Sequence, residues 1–184
     1  MTFVRSLAPW IVFGVLGAFL PDRWAVLAAA GTALIALGLA WRSGRRPDEL
    51  VIELSSLAFF TVLALIANLA PASDVSRWAG SASELWLAGT VAVTLALHRP
   101  FTLALARAQA PREHWDRPEF YRFNVIISRA WLISFAAAGL ILLALAIPDL
   151  TALWFTVPVM VLAILIPIRY TASLVKRIPK GTPA

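Results

Sequence analysis

Apolar stretches of about twenty residues follow one another along almost the whole chain, separated by short polar turns, and this spacing constrains the fold more than any other feature. A bilayer hydrocarbon core about 30 Å thick is crossed by roughly 20 residues of helix. Each such stretch is therefore long enough to be a span. Of the 184 residues, 60% are hydrophobic and 14% charged, with a mean hydropathy of +0.80. Soluble domains carry about 25% charged residues, so lipid must supply part of this chain's solvent. The expectation is an all-α integral membrane protein, one polytopic domain over residues 1–184 with no room for a separate soluble unit.

Six transmembrane helices are expected, at about 6–20, 24–41, 50–70, 78–97, 124–147 and 151–170, with one long loop at 98–123. Arg5 ahead of the apolar run Leu7 to Leu20 resembles the start of a signal peptide. However, Pro21, Asp22, Arg23 and Trp24 follow without a small-residue cleavage pattern, so the segment reads as a retained first helix. Lys and Arg near span ends are held on the cytoplasmic side. Arg5, then Arg42, Arg45 and Arg46, then Arg99, Arg107, Arg112, Arg117 and Arg122, and finally Arg169, Lys176, Arg177 and Lys180 fall on one side; only Arg23 and Arg77 fall on the other. That imbalance predicts an even number of crossings with both termini in the cytoplasm (N-in/C-in).

The outer turns share a design, with proline and aspartate at Pro21 and Asp22, Pro71 and Asp74, and Pro148 and Asp149. The six spans accordingly read as three antiparallel hairpins. The cytoplasmic ends of two hairpins match further. Arg99, Pro100, Phe101 and Thr102 lead to Arg107, and Arg169, Tyr170 and Thr171 lead to Lys176 at the same offset from the threonine. Shared membrane composition accounts for such likeness as readily as a true repeat does.

Ionisable groups inside a bilayer are costly and mark candidate sites. Glu53 and Arg129 are each a few residues into their spans from the cytoplasmic end, differing in depth by only about 3 Å, and an ion pair between them is expected. If the fourth span begins near Trp78, Glu84 enters the outer leaflet with Ser81 and Ser83 and faces a water-filled cavity; the favoured reading is a short or tilted span with Glu84 at the outer surface, and a hydrogen bond to Asn68 at comparable height is the most economical arrangement. Pro158 and Pro167 should kink or loosen the sixth span. Ala28, Thr32, Ala36 and Ala40 form a small-residue stripe on the second, where another helix is expected to approach closely.

The loop from His98 to Asn124 carries the densest pattern. Pro100 suits the start of a short helix with Phe101, Leu105 and Ala108 on one face and Arg107 at its basic end, an amphipathic segment lying on the inner membrane face. Trp115 and the aromatics from Phe120 to Phe123 are suited to the headgroup region. Arg99, Phe101, Thr102, Arg107, Trp115 and Asn124 are the candidate lipid-facing and loop residues.

The pattern Arg99-Pro100-Phe101-Thr102, Ala106-Arg107, Pro111, Trp115, Pro118, Phe120, Asn124 and Trp131 resembles a signature of uncharacterised bacterial multi-pass inner-membrane proteins. Its basic-Pro-Phe-Thr step is more distantly similar to the intracellular septation protein A family, small multi-pass proteins linked to the cell envelope. The resemblance implies a bacterial inner (cytoplasmic) membrane protein and no catalytic residues.

With no cysteine in the chain, disulfides and thiolate metal sites are excluded. His98 and His114 stand apart from each other among interleaved arginines and carboxylates and read as structural or interfacial. No metal, cofactor or catalytic residue is expected. The net charge of +6 sits beside membrane spans, so its expected partner is anionic lipid at the cytoplasmic face and not nucleic acid. Three functions stay open. The leading one is a non-enzymatic envelope or assembly component with a membrane-protein partner or a second copy of the chain. The others are a small transporter or channel using Glu53, Arg129 and Glu84, and a lipid-modifying enzyme centred on the long loop.

Overall fold

The computed structural model describes residues 6–45, 49–70, 74–107, 110–148, 150 and 152–176. Arg5, Arg46, Pro71, Ala108, Asp149, Arg177 and Lys180, invoked above, lie outside them. Regular structure among the described residues is helical. It comprises α1 (Ala8–Leu16), α2 (Asp22–Arg42), α3 (Val51–Leu69), α4 (Val75–Ala96), α5 (Phe101–Arg107), a 3-10 turn at Arg112–His114, α6 (Pro118–Ala146) and α7 (Leu153–Lys176).

Four helices are long and apolar enough to cross a membrane: α2, α3, α6 and α7 from Trp154 on. A fifth crossing results if α4 and α5, bent by 75° at their junction, count as one span. Their outward faces are apolar, with Leu34, Ile133 and Ile166 each more than half exposed. In water such a surface aggregates; in lipid it is the expected exterior. These are the helices of a membrane-embedded protein.

The first expected span contains only the nine-residue α1, about 14 Å long at 1.5 Å per residue. Hydrogen-bonded turns carry residues 17–20 to Pro21, which disfavours helix at the residue before it. The end of the long loop expected at 98–123 also differs from the sequence reading. Helix α6 begins at Pro118 and absorbs Phe120 to Phe123, because Pro118 is preset for a first helical turn and Glu119 favours the helix's positive end. At 29 residues α6 is about 43 Å long and overshoots the hydrocarbon core.

Two helix ends share one device. Beyond α2, Gly44 adopts φ +73°, its N–H bonds Trp41 O at 3.0 Å, and Arg45 N–H bonds Ala40 O at 3.4 Å. Beyond α4, His98 adopts φ +55°, its N–H bonds Leu95 O at 3.0 Å, and Arg99 N–H bonds Thr94 O at 2.9 Å. Both are Schellman caps, which satisfy orphan carbonyls and reverse the chain. The first aims Arg45 back over the start of α3. The second swings α5 away from the axis of α4.

Helices α1, α2 and α3 pack in succession, while α4 packs most extensively on α6, and α6 on α7; contact between α3 and α4 is thin. Of the three expected hairpins, the first (α1 and α2) and the third (α6 and α7) are packed pairs, whereas in the second α3 packs on α2 and α4 on α6. The core joins the two sets through Trp10, Phe59 and Phe60, mutually 4.7 to 5.1 Å apart between ring centroids, and through Trp86 against Phe59 at 5.6 Å. The buried residues of α2 are Ala25, Val26, Ala29, Ala33 and Ala40; of the expected stripe Ala40 is buried, while Ala28, Thr32 and Ala36 are half-buried. Alanine predominates in both sets, so spacing alone does not choose between them.

Pro158 and Pro167 leave α7 a continuous helix. Pro167 removes the donor that would satisfy the carbonyl four residues earlier, and Ser134 Oγ on α6 bonds that carbonyl, Ala163 O, at 2.9 Å. A donor from the neighbouring helix restores the lost bond, as a membrane interior requires.

Candidate functional site

Helix α4 carries Ser81, Ser83 and Glu84 on its apolar course, and the structure gives them different roles. Ser81 Oγ donates to Trp78 O at 2.9 Å and Ser83 Oγ to Ala79 O at 2.7 Å, so both hydroxyls are satisfied within the helix. Glu84 has no such outlet. Its side chain is on the buried face that α4 shares with Leu87, Ala88 and Val91, and it is only 4% exposed. Nine residues, about 14 Å of axis, separate it from the start of α4 at Val75, and twelve separate it from the end at Ala96. It is therefore deep in the bundle, not at the outer surface as the sequence suggested.

The carboxylate lines a cavity of about 360 Å³ beneath α1 and beside α7. Trp10, Phe13, Phe135, Met160 and Ile164 supply the walls, and among the described residues no basic one lines it. Glu84 Oε2 is buried without a hydrogen-bond partner among the described residues. An unpaired carboxylate in such surroundings is among the most expensive arrangements in a protein, and it is eased only by a cation or a proton reaching the same space.

The expected partner of Glu84, Asn68, lies elsewhere. Its side chain is exposed and Nδ2 donates to Ala64 O at 2.8 Å, within its own helix.

Glu53 is buried at 3% exposure, but it does not meet Arg129. Its Oε1 accepts from Ser6 Oγ at 2.7 Å and pairs with Arg45 Nη1 at 2.5 Å. Arg45 also donates to Glu49 O and lies 3.9 Å from the Glu49 carboxylate. Arg45 wins because the Gly44 cap delivers it only eight residues before Glu53, whereas α3 and α6 belong to different packing sets. Arg129 is exposed, lining a groove between α6 and α7 with Tyr170, and has no ion-pair partner among the described residues. Beside Glu53, Trp10 Nε1 donates to Ser56 Oγ at 2.8 Å, and Ser56 Oγ donates to Ile52 O at 2.7 Å. These bonds tie the start of α1 to the start of α3.

The long-loop candidates form a mostly self-satisfied cluster. Thr102 Oγ1 donates to Asn124 O at 3.1 Å and lies 2.9 Å from Ser128 Oγ, all buried. Asn124 Nδ2 donates to Phe120 O at 2.8 Å. Phe101 meets Trp131 edge-on at 6.3 Å. The Trp115 ring lies 5.6 Å from Arg107 and 5.7 Å from Arg112, and its Nε1 donates to Ala110 O at 3.1 Å. These contacts fix α5 against α6. Thr102 and Thr171, the matched threonines of the two hairpin ends, line one groove at that end of the bundle. Arg99 is apart from the cluster, exposed at the mouth of a groove between α3 and α4.

Sequence reasoning reached Glu84, Glu53 and Thr102 but missed Ser6, Trp10 and Arg45 as the surroundings of Glu53, and Phe135 and Met160 as those of Glu84. The Ser43-Gly44-Arg45 step after a span was the one available signal, since glycine there predicts a reversing cap. No protein-family model, curated protein or solved structure matches the chain.

Proposed function

We propose that the chain is a small transport protein of the bacterial inner membrane that binds an apolar organic cation at Glu84. The observation that carries this reading is the unpartnered, buried Glu84 carboxylate facing an otherwise apolar cavity of about 360 Å³. Ligand pockets span ~300–1,000 Å³ and combine apolar walls with few polar groups, and this one matches a small aromatic or alkylated cation. Trp10, Phe13 and Phe135 make part of its wall aromatic, the surroundings in which an organic cation is held by ring quadrupoles as well as by apolar area. A calcium-like ion needs about six or more oxygen ligands. Here the carboxylate is the only acidic group of the wall among the described residues, and the Ser83 hydroxyl is already committed. The cavity lies between the short α1 and α7, where Ile11, Val15 and Val161 are half exposed, so a lipid-soluble ligand has a lateral route to it.

Six crossings with both termini in the cytoplasm belong to the same proposal. The bond from Ser6 to Glu53, which also pairs with Arg45, supports it by bringing the start of α1 beside the start of α3, and Pro21 opens α2 at the far end of α1. Residues 6–20 thus run from one end of the bundle towards the other, and the arginine and lysine imbalance assigns the basic end to the cytoplasm.

Proteoliposomes test the transport reading. With an imposed pH gradient, the wild-type chain should accumulate ethidium at least about tenfold faster than Glu84→Gln, since removing one member of a buried charge pair costs 2–5 kcal/mol or more. Glu84→Asp, which keeps the charge, should retain part of the rate. Equal uptake by wild type and Glu84→Gln would overturn the reading.

A further inference from the structure

Helices α3 and α4 are consecutive yet touch little, and between them runs a groove of about 780 Å³. Its polar groups are turned on one another. Trp86 Nε1 donates to Ser55 Oγ at 2.9 Å, and Ser55 and Thr90 hydroxyls share a bond of 2.6 Å. What they leave for an occupant is apolar wall from Phe59, Leu85 and Val93. Gly89 lies at its centre, and a Cβ there would meet nothing within 4 Å. Because α3 and α4 are antiparallel, the groove ends where α3 begins and α4 stops, at the basic end of the bundle. Arg99 stands at that mouth, exposed, its guanidinium without a hydrogen-bond or ion-pair partner among the described residues. The His98 cap at φ +55° is what turns Arg99 to this position.

We propose that this groove is a binding site for one glycerophospholipid of the surrounding leaflet, an acyl chain lying along Phe59, Leu85 and Val93 and the phosphate on Arg99. Hydrocarbon fills a lipid-facing apolar groove without desolvation cost, and a guanidinium matches a phosphate with paired hydrogen bonds. Glu49 also lines the groove, but its carboxylate lies 3.9 Å from Arg45; Arg99 is the unpaired charge there and suits a phosphate, and the length of apolar wall behind it suits a chain, not a free anion. This site is separate from the Glu84 cavity and does not depend on the transport reading.

Native mass spectrometry of the full chain, purified in mild detergent from membranes, reads the occupant directly. The wild type should retain one phospholipid. Arg99→Gln should lower that retention about tenfold, the fold-change expected for losing a charge-assisted contact. Gly89→Leu, which fills the groove without touching Arg99, should lower it as well. Arg129→Gln, at an exposed arginine in a different groove, should leave it unchanged. Far-UV circular dichroism establishes that each variant is folded; should Gly89→Leu fail to fold, the contrast between Arg99→Gln and Arg129→Gln decides. Retention that is unaffected by Arg99→Gln, or lowered equally by Arg129→Gln, overturns the proposal. Retention of free phosphate in place of a lipid does so too.

Discussion

Replacing Gly139 by alanine should force α4 and α6 apart at their closest approach. A Cβ built at Gly139 would sit 2.7 Å from Leu85 Cγ, 2.8 Å from Leu85 Cδ2 and 3.0 Å from Leu85 N, where ordinary contact begins at 3.4 Å. The side chain can change rotamer, but the backbone nitrogen moves only with its helix. The helices must therefore separate by a few tenths of an ångström along the most extensive interface in the bundle. Overpacking of this kind costs about 1–3 kcal/mol, and in membranes close approach at small residues is itself a main source of helix association. Against this, alanine gains up to about 1 kcal/mol of helix propensity over glycine. Gly38 isolates that gain, because it is exposed on α2 and a Cβ there meets nothing within 4 Å. Reversible unfolding in mixed micelles with increasing sodium dodecyl sulfate, followed by circular dichroism, measures both variants. Gly38→Ala should be neutral or stabilised, and Gly139→Ala should fall below it by about 1–3 kcal/mol. Equal shifts for the two variants would refute the close approach of α4 and α6.

Ser134→Ala should leave Ala163 O without the donor that replaces the one lost to Pro167, lowering stability in the same unfolding assay by about 1 kcal/mol. In a Pro167→Ala background the backbone donor returns, so the Ser134→Ala effect should shrink; an unchanged effect would count against the pairing. His98→Gly should stabilise the chain by up to about 1 kcal/mol, since a side chain at positive φ is strained and glycine is not. A loss of stability in that variant would mean that the imidazole makes contacts outweighing the strain.

The sequence made the helical, membrane-embedded class legible because twenty-residue apolar runs have few other uses. It was less informative wherever the outcome turned on which faces meet. Glu53 and Arg129 have matching depth along their helices, but depth carries no information about azimuth or neighbour, and α3 packs on α2 while α6 packs on α4. Glu84 looked superficial because the apolar run after it, Leu85 to Leu97, is too short to cross a bilayer alone, yet α4 starts at Val75 and its two serines bond back into the helix, which leaves Glu84 on a buried face. The prolines of α7 looked like breaks because the rescuing donor, Ser134, lies 29 residues earlier on another helix. The alanine stripes of α2 were indistinguishable by composition. By contrast, Arg99, Phe101, Thr102 and Asn124 were singled out together, and three of them do assemble, because their contacts span the short distance from α5 to α6.

The most direct test of the Glu84 site is covalent. Dicyclohexylcarbodiimide is an apolar reagent that partitions into lipid and modifies carboxyl groups in apolar surroundings, and peptide mapping by mass spectrometry locates the adduct. The buried, unpartnered Glu84 should be the modified residue, while Glu53, held by Arg45 and Ser6, should stay unmodified. Millimolar tetraphenylphosphonium, an apolar cation, should suppress the Glu84 adduct. No adduct at Glu84, or one that forms at the same rate with and without the cation, would contradict a cation site in this cavity.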